Sequence, residues 1–438
     1  MYLIYGLQKS GISILKLCEK NNIKYKIWDD NPLVRKNFKK KYKSDYFFNP
    51  KKNKFNEFDK IFVSPGISIR QKKFQNIKIL PKIKRDLNLY ISYIEKQKII
   101  AVTGTNGKST TTKLIGDVLN HNKLKAFVGG NIGDPLCNVF LINKKFNFHV
   151  IELSSFQLET VKSIDTKISI ITNLSNDHLD RYKSLKDYTN QKKNIISENG
   201  MNLFSLDDNY SRKIFNQADI KNKISFSIKD EKADIYFKEN YILDNYFKKG
   251  KKLIFKNISQ DLEGVFNHQN ILITYICCKI LKLSEINFTR VIKSFKGLPF
   301  RSSIIFKSNK LKIINNSKST NLNSTISSII NYNNIYLILG GIAKEKNFEV
   351  LLKYKKHLNF VYTFGKSASF IEKKLKKTLF VKKFQSLKLV IKEVIKDTNL
   401  DKKKSIILFA PGCSSYDQYK NFEERGIEFN KLIMKNLN

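Results

Sequence analysis

In Gly104-Thr105-Asn106-Gly107-Lys108-Ser109-Thr110, two glycines are followed by Lys-Ser-Thr, the residue types that bind the phosphates of a nucleotide. A loop that enters a helix offers unpaired amides and the positive end of the helix dipole to phosphate oxygens. Gly104, Thr105, Asn106 and Gly107 are expected to form that cradle, Lys108 to neutralise the β and γ oxygens, and Ser109 or Thr110 to hold Mg²⁺. The usual spacing rule asks for a glycine five residues before Gly107, and Val102 stands there instead. The loop is therefore a shortened one.

Two further residues suit the same chemistry. Glu152 closes the apolar stretch HVIE, and His178 follows ISIITNLS in Asn176-Asp177-His178-Leu179-Asp180. Both stretches are apolar on both faces, as central parallel strands are. Ligands of such sheets gather at the carboxyl edge. A hard carboxylate and an imidazole on neighbouring strand ends can hold a divalent cation beside the phosphates. The structural alternatives are a buried ion pair for Glu152 and a capping role for His178.

The elements that must carry these residues follow three strand-glycine-helix starts. YLIYGLQKSGISILKLCEKNN opens the first, with Gly6 and Gly11 at its turn and the strand YKIWDD about twenty residues later. Gln8 stands where a dinucleotide fold would place its middle glycine. KIIAVTGTNGKSTTTKLIGDVLN opens the second, which runs through a hairpin or meander in ADIYFKENYILDNYFKKGKKLIF and a hinge at Gly297 and Pro299. The third alternates LKIIN, IYLILGG, FVYTFG and SIILFAPG with lysine-rich helices. Strands alternating with helices predict parallel sheets in all three units.

Composition narrows the function classes. The chain has 438 residues and a formal charge of +43. A basic chain invites a nucleic-acid reading, since Lys and Arg release counterions from phosphate backbones. The lysines, however, recur in every segment alongside abundant Ile, Asn, Phe and Tyr, which indicates A/T-rich codon drift and no specific nucleic-acid partner. Against that background Arg181, Arg301 and Arg425 stand out as positions where planar bidentate geometry is required. Five scattered cysteines without a CxxC motif predict buried thiols, not disulfides or zinc. The absence of a long apolar run predicts no membrane insertion and a cytoplasmic protein.

The shortened loop resembles the ATP signature of the Mur ligase family, which includes the folylpolyglutamate synthases and joins an amino acid to a carboxylate. IELSSFQLE, NLSNDHLDRY, YTNQKKNI, FNHQNIL, LPFR, NNSKSTN, LGGIAKEKNF and APGCSSYDQYKNFEERGIEF occur in family order along essentially the whole chain. Several are most similar to the branch that adds D-glutamate to UDP-N-acetylmuramoyl-L-alanine. The resemblance implies an α/β, three-domain architecture. A Rossmann-like domain over 1–95 would bind the UDP substrate, a P-loop-type domain over 96–297 would bind ATP, and a Rossmann-like domain over 298–438 would bind the amino acid. It also implies ATP and Mg²⁺, an acyl-phosphate intermediate and a monomer.

Residue by residue, the resemblance assigns Glu152 and His178 to Mg²⁺ and makes Lys192 a carbamate that ligates a second Mg²⁺. Carbon dioxide adds only to a neutral amine, so Lys192 needs a depressed pKa. Lys193 is adjacent, and Tyr188 marks the register. Asn267 and Asn270 would lie on the adenine side, with N-terminal capping as the alternative for Asn267. Arg301 would reach the ATP phosphates as the third domain closes. Asn316 replaces the family's usual Asp and keeps a carbonyl for a ribose hydroxyl or a water. Lys318 and Thr320 would lie near the reacting carboxylates. Lys344, Ser414, Ser415, Tyr416 and Phe422 would grip D-glutamate, with a helix N-cap as the alternative for Ser415. Asp29, Gln8, Lys9, Ser10, Ser64 and Asn131 would face the UDP-sugar. Two rival readings remain: a folate-polyglutamating ligase, and, on charge alone, a P-loop ATPase that binds nucleic acid.

Overall fold

Short apolar runs bounded by glycine turns build three sheets in the computed structural model, which describes residues 1–50, 54–177, 181–248, 250–254 and 257–437. The first sheet consists of β1 (Tyr2–Tyr5), β2 (Tyr25–Trp28), β3 (Lys60–Val63) and β4 (Ile83–Lys84). Its order is β2-β1-β3-β4 and every pair is parallel. Helix α1 (Lys9–Lys20) lays Ile14, Leu15, Leu17 and Cys18 on it. The helix starts so close to the sheet that a Cβ on Gly11 would lie 1.8 Å from the Gly6 carbonyl oxygen. Two shorter helices, α2 (Pro32–Lys39) and α3 (Asp86–Ile91), complete this layer.

The second sheet has nine strands: β5 (Ile99–Thr103), β6 (Ala126–Gly130), β7 (Phe148–Glu152), β8 (Ile168–Ile171), β9 (Met201–Ser205), β10 (Lys223–Ser227), β11 (Ile235–Lys238), β12 (Tyr241–Asp244) and β13 (Lys251–Ile254). They run in the order β13-β12-β11-β10-β9-β8-β5-β7-β6. Helices α4 (Lys108–His121), α5 (Ser155–Leu158), α6 (Leu185–Lys193), α7 (Asn209–Phe215), α8 (Val265–Ile280) and α9 (Glu285–Ser294) follow in chain order. The third sheet has the order β14-β15-β19-β16-β17-β18. Its strands are β14 (Ser303–Lys307), β15 (Leu311–Asn315), β16 (Ile335–Gly340), β17 (Leu358–Phe364), β18 (Phe380–Lys383) and β19 (Ser405–Phe409). Helices α10 (Leu322–Ile329), α11 (Ala368–Leu375), α12 (Leu387–Leu400) and α13 (Phe422–Leu437) pack around it.

Parallel pairing holds in the first sheet and in the cores of the other two, and fails at two edges. Strands β11 and β12 meet through Glu239 and Asn240, whose φ angles of +48° and +68° match a two-residue hairpin turn, so the pair is antiparallel. Strands β14 and β15 are likewise antiparallel across Ser308, Asn309 and Lys310. A parallel pair needs a crossover of about a dozen residues or more, and neither connection is long enough.

Contacts divide the chain into two compact units. One comprises residues 1–256 with 269–291 and holds the first two sheets; the other comprises 257–268 with 292–438 and holds the third. Among the described residues, all five cysteines are free and buried, as their scatter suggests. Also among these, no helix is long and apolar enough to cross a membrane.

Candidate active site

Strand β5 is buried along its length between β7 and β8, and its carboxyl end delivers the glycine loop. The chain leaves β5 at Gly104 with φ +142°, where a Cβ would lie 1.9 Å from Thr172 Oγ1. It enters α4 at Gly107 with φ +83°, where a Cβ would lie 2.5 Å from Asn270 Oδ1. Both glycines are therefore demanded by conformation and by space. The Thr105 amide donates to Asn173 O at 2.8 Å and the Asn106 amide to Asn173 Oδ1 at 2.9 Å. Thr172 Oγ1 in turn donates to Asn106 O at 2.7 Å. These two residues thus shape the loop that leads into α4.

Beneath the loop two lysines converge on one carbonyl. Lys108 Nζ donates to Gly104 O at 2.8 Å and to Thr105 O at 2.7 Å. Lys192 Nζ donates to the same Gly104 O at 2.7 Å and to Thr103 Oγ1 at 3.2 Å. Helix α6, capped by Ser184 through the Asp187 amide, carries Lys192 inward until it is only 1 % exposed. Its ammonium lies 4.9 Å from the Tyr188 ring centroid, one turn earlier. Burial, and then the neighbouring Lys108 charge, hold the Lys192 pKa well below the ordinary lysine value. Lys193 beside it is half-buried, so of the two it is Lys192 that the helix buries.

Glu152 ends β7 at 2 % exposure. It accepts from Ser109 Oγ, and its other oxygen accepts from Asn131 Nδ2 at 2.8 Å. Asn131, expected at the UDP-sugar, is thus in contact with Glu152, and Ser109 is the hydroxyl that meets the carboxylate, while Thr110 stands half-buried in the first turn of α4. His178 lies outside the described residues. Asn270 accepts from Thr111 Oγ1 at 3.0 Å and so borders the loop. Asn267 is not the cap of α8: it lies inside the helix, and its side chain donates back to Glu263 O at 3.4 Å.

Around the first sheet, Gln8, Lys9 and Ser10 form the start of α1, and Ser64 Oγ donates to Gly6 O at 2.8 Å. Asp29 accepts from the Leu7 amide at 2.7 Å and the Asn31 amide at 2.8 Å, so both its oxygens fix turns of its own sheet.

In the unit that holds the third sheet, Arg425 organises the loops where the amino-acid residues were expected. It is 0 % exposed, and the hydrogen bonds of its guanidinium go to carbonyls and a hydroxyl. Its guanidinium donates to Ser317 O at 2.8 Å, Cys413 O at 3.1 Å, Gly340 O at 3.3 Å and Ser317 Oγ at 3.1 Å. Burial lowers its pKa to about 10, which leaves it charged at neutral pH. Lys318 stacks its ammonium 4.1 Å from the Phe422 ring centroid, uniting two expected substrate residues, and Thr320 follows half-buried. Ser414 bridges Ile342, two residues before the exposed Lys344. Tyr416 is exposed and Ser415 buried. The N-cap alternative for Ser415 fails: α13 starts at Phe422, and Asn421 accepts from the Glu424 amide at 2.8 Å. Asn316 donates to Ser328 Oγ at 2.8 Å. Arg301 sits between Phe300 and Ser302, whose φ angles of +62° and +56° are uncommon for such residues.

Sequence reasoning missed Glu159, which joins Arg85 to the noted Arg181, and it missed Arg85 itself and Arg70, which pairs with Asp187. The scarcity of arginine that drew attention to Arg181 applies to them equally: the chain has eight.

Residues 102–278 match the Mur ligase middle domain. A protein of Fusobacterium nucleatum subsp. nucleatum named UDP-N-acetylmuramoylalanine--D-glutamate ligase is 36% identical over 445 residues, covering 99% of this chain and 98% of that protein. One of Rickettsia bellii with the same name is 34% identical over 442 residues, covering 98% and 96%. Among solved structures, a pseudomurein peptide ligase type C from Methanothermus fervidus shares the fold with a TM-score of 0.61 at 17% identity, covering 100% of this chain and 99% of that one. A UDP-N-acetylmuramate-alanine ligase from Thermotoga maritima does so with a TM-score of 0.60 at 17% identity, covering 100% and 98%.

Proposed function

The chain belongs to the Mur ligase family, and on that premise we propose that it is an ATP-dependent ligase adding D-glutamate to UDP-N-acetylmuramoyl-L-alanine in peptidoglycan precursor synthesis. The names of relatives aligned over nearly the whole chain support this reading. The observation that carries the chemistry is the pair Lys108 and Lys192 sharing the Gly104 carbonyl, with Glu152 joined to Ser109 in the first turn of the same helix.

We assign residues 1–95 to the acceptor nucleotide, 96–297 to ATP and 298–438 to the amino acid, and the cytoplasm as the site of action. A carboxylate is a poor electrophile, and the proposed route activates it as an acyl phosphate that the D-glutamate amine then attacks. Mg²⁺, when bound, would supply charge screening for the triphosphate and the transferred phosphoryl group. Glu152 and Ser109, already hydrogen-bonded and composed of hard oxygen donors, fit such an ion, with Thr110 and His178 as further assigned ligands. Burial makes the Lys192 amine easier to deprotonate; carbon dioxide would add to it with release of a proton, and the resulting carbamate would be a further oxygen donor. Lys108 and Arg301 oppose the phosphate charge. Asn267, Asn270 and Asn316 are assigned to the nucleoside. Lys318 and Thr320 are assigned to the reacting carboxylate, and Lys344, Ser414, Ser415, Tyr416 and Phe422 to D-glutamate.

The test is release of ADP from Mg²⁺, ATP, the muramoyl nucleotide and D-glutamate, each omitted in turn. ADP release is expected only with all four. Release stimulated by a folate, or by single-stranded DNA, in place of the muramoyl substrate would replace this reading with a rival.

A further inference from the structure

Two arginines, Arg85 fully buried and Arg181 half-buried, hold one turn. Arg85 Nη1 donates to Val63 O and Ser64 O, each at 2.7 Å, and to Ile67 O at 3.1 Å. Arg181 donates to Pro65 O at 2.8 Å and to Ile67 O at 3.0 Å. Four carbonyls of the Val63–Ile67 turn are thereby drawn onto guanidinium groups. Two cations this close repel, and Glu159 joins them: its Oε2 lies 3.0 Å from Arg85 Nη2 and 3.7 Å from Arg181 Nη2. Tyr182 OH donates to Oε1 at 2.9 Å. The side chains of Arg85 and Glu159 are 0 % and 3 % exposed, so the pair is out of water. A third arginine, Arg70, makes a bidentate bond to Asp187 on α6 at 2.7 and 2.9 Å.

The turn bears on the ligand side of the first sheet. Ser64 ties it to Gly6, next to the α1 start, and a Cβ on Gly66 would meet nothing within 4 Å. Carbonyl oxygens left loose there would repel a diphosphate; bound to arginine they are withdrawn from it. Next to Arg85, Asp86 accepts from Gln157 at 3.2 Å, so Gln157 on α5 and Glu159 just past its end hold the two residues of this dipeptide. Only six residues separate Glu152 from Glu159.

We propose that Glu159 is a positioning residue for the sugar-nucleotide acceptor: through Arg85 and Arg181 it fixes the Val63–Ile67 turn, and so sets acceptor affinity without touching ATP. This inference rests on the ligase reading above. It acts through two other side chains, so truncating it moves the turn and leaves the glycine loop in place.

The test is a kinetic split. In ADP release below the melting temperature, Glu159→Gln is expected to raise the KM for the muramoyl nucleotide roughly tenfold to a hundredfold, with the ATP KM within about twofold. Glu159→Asp, which keeps the charge, is expected to recover most of the loss. Should Glu159→Gln fail to fold, Arg181→Lys decides, because it keeps the charge but gives up the paired donors to Pro65 and Ile67; the same split is expected. An unchanged acceptor KM, or equal rises for both substrates, overturns the proposal. A wild-type enzyme that releases no ADP overturns instead the ligase reading on which it stands.

Discussion

Lys192→Met is expected to lower ligase turnover by about 10²–10³-fold, the usual cost of deleting an electrostatic stabiliser from a reacting centre, and to make the protein more stable at neutral pH. The two effects have one cause. The unfolded chain protonates this lysine below about pH 10.5, whereas burial and Lys108 keep its folded pKa well beneath that. Between the two values the unfolded state binds more protons, so stability rises with pH and is diminished at neutral pH. A methionine removes this penalty and leaves Gly104 O bonded to Lys108. The gain in melting temperature, measured in carbonate-free buffer, is expected to shrink as pH is raised from neutrality toward 10.5. Lys192→Ala in the presence of formate or acetate is expected to regain activity, because a small carboxylate can replace the carbamate. Full activity in either variant without added carboxylate would remove Lys192 from the chemistry.

Arg425→Met is expected to destabilise the fold by about 3–5 kcal/mol. The methionine fills much of the space but orphans the carbonyls of Ser317, Gly340 and Cys413, each of which loses a buried donor. Gly340 ends β16, and Ser317 and Cys413 lie in the loops that follow β15 and β19, so these loops are expected to loosen together. Arg425→Lys keeps the charge but cannot span all three and should fall between. Urea unfolding followed by circular dichroism measures the effect; a loss below about 1 kcal/mol would show that the carbonyls find other partners. In the ligase assay the D-glutamate KM is expected to rise for both variants.

Much of the site could be read from short strings. The glycine loop is contiguous, and Glu152 sits at the end of an apolar run that can only be an inner strand. Lys192 was harder: in a chain with 81 basic residues its burial has no compositional trace, and only the resemblance of YTNQKKNI to a family segment, with Tyr188 as the register marker, singles it out. The arginine bridge escaped because it joins residues far apart in the chain, 74 from Arg85 to Glu159 and 116 from Arg181 to Pro65. The capping reading of Ser415 failed because a local preference could not show that the chain continues to Asn421 before it coils into a helix. The antiparallel edge of the second sheet was legible in the alternation of ADIYFKENYILDNYFKKGKKLIF, read as a hairpin or meander, whereas general α/β alternation hid the antiparallel pair β14 and β15.

The five sequestered cysteines make the protein its own stopwatch. Burial pushes the thiols of Cys18 and Cys413 up to about 12, and those of Cys137, Cys277 and Cys278 also upward, so native thiolate at neutral pH is scarce. An alkylating pulse read by mass spectrometry therefore records how often each neighbourhood breathes open. Cys18 reports on the packing of α1, Cys277 and Cys278 on α8, and Cys413 on the loop held by Arg425.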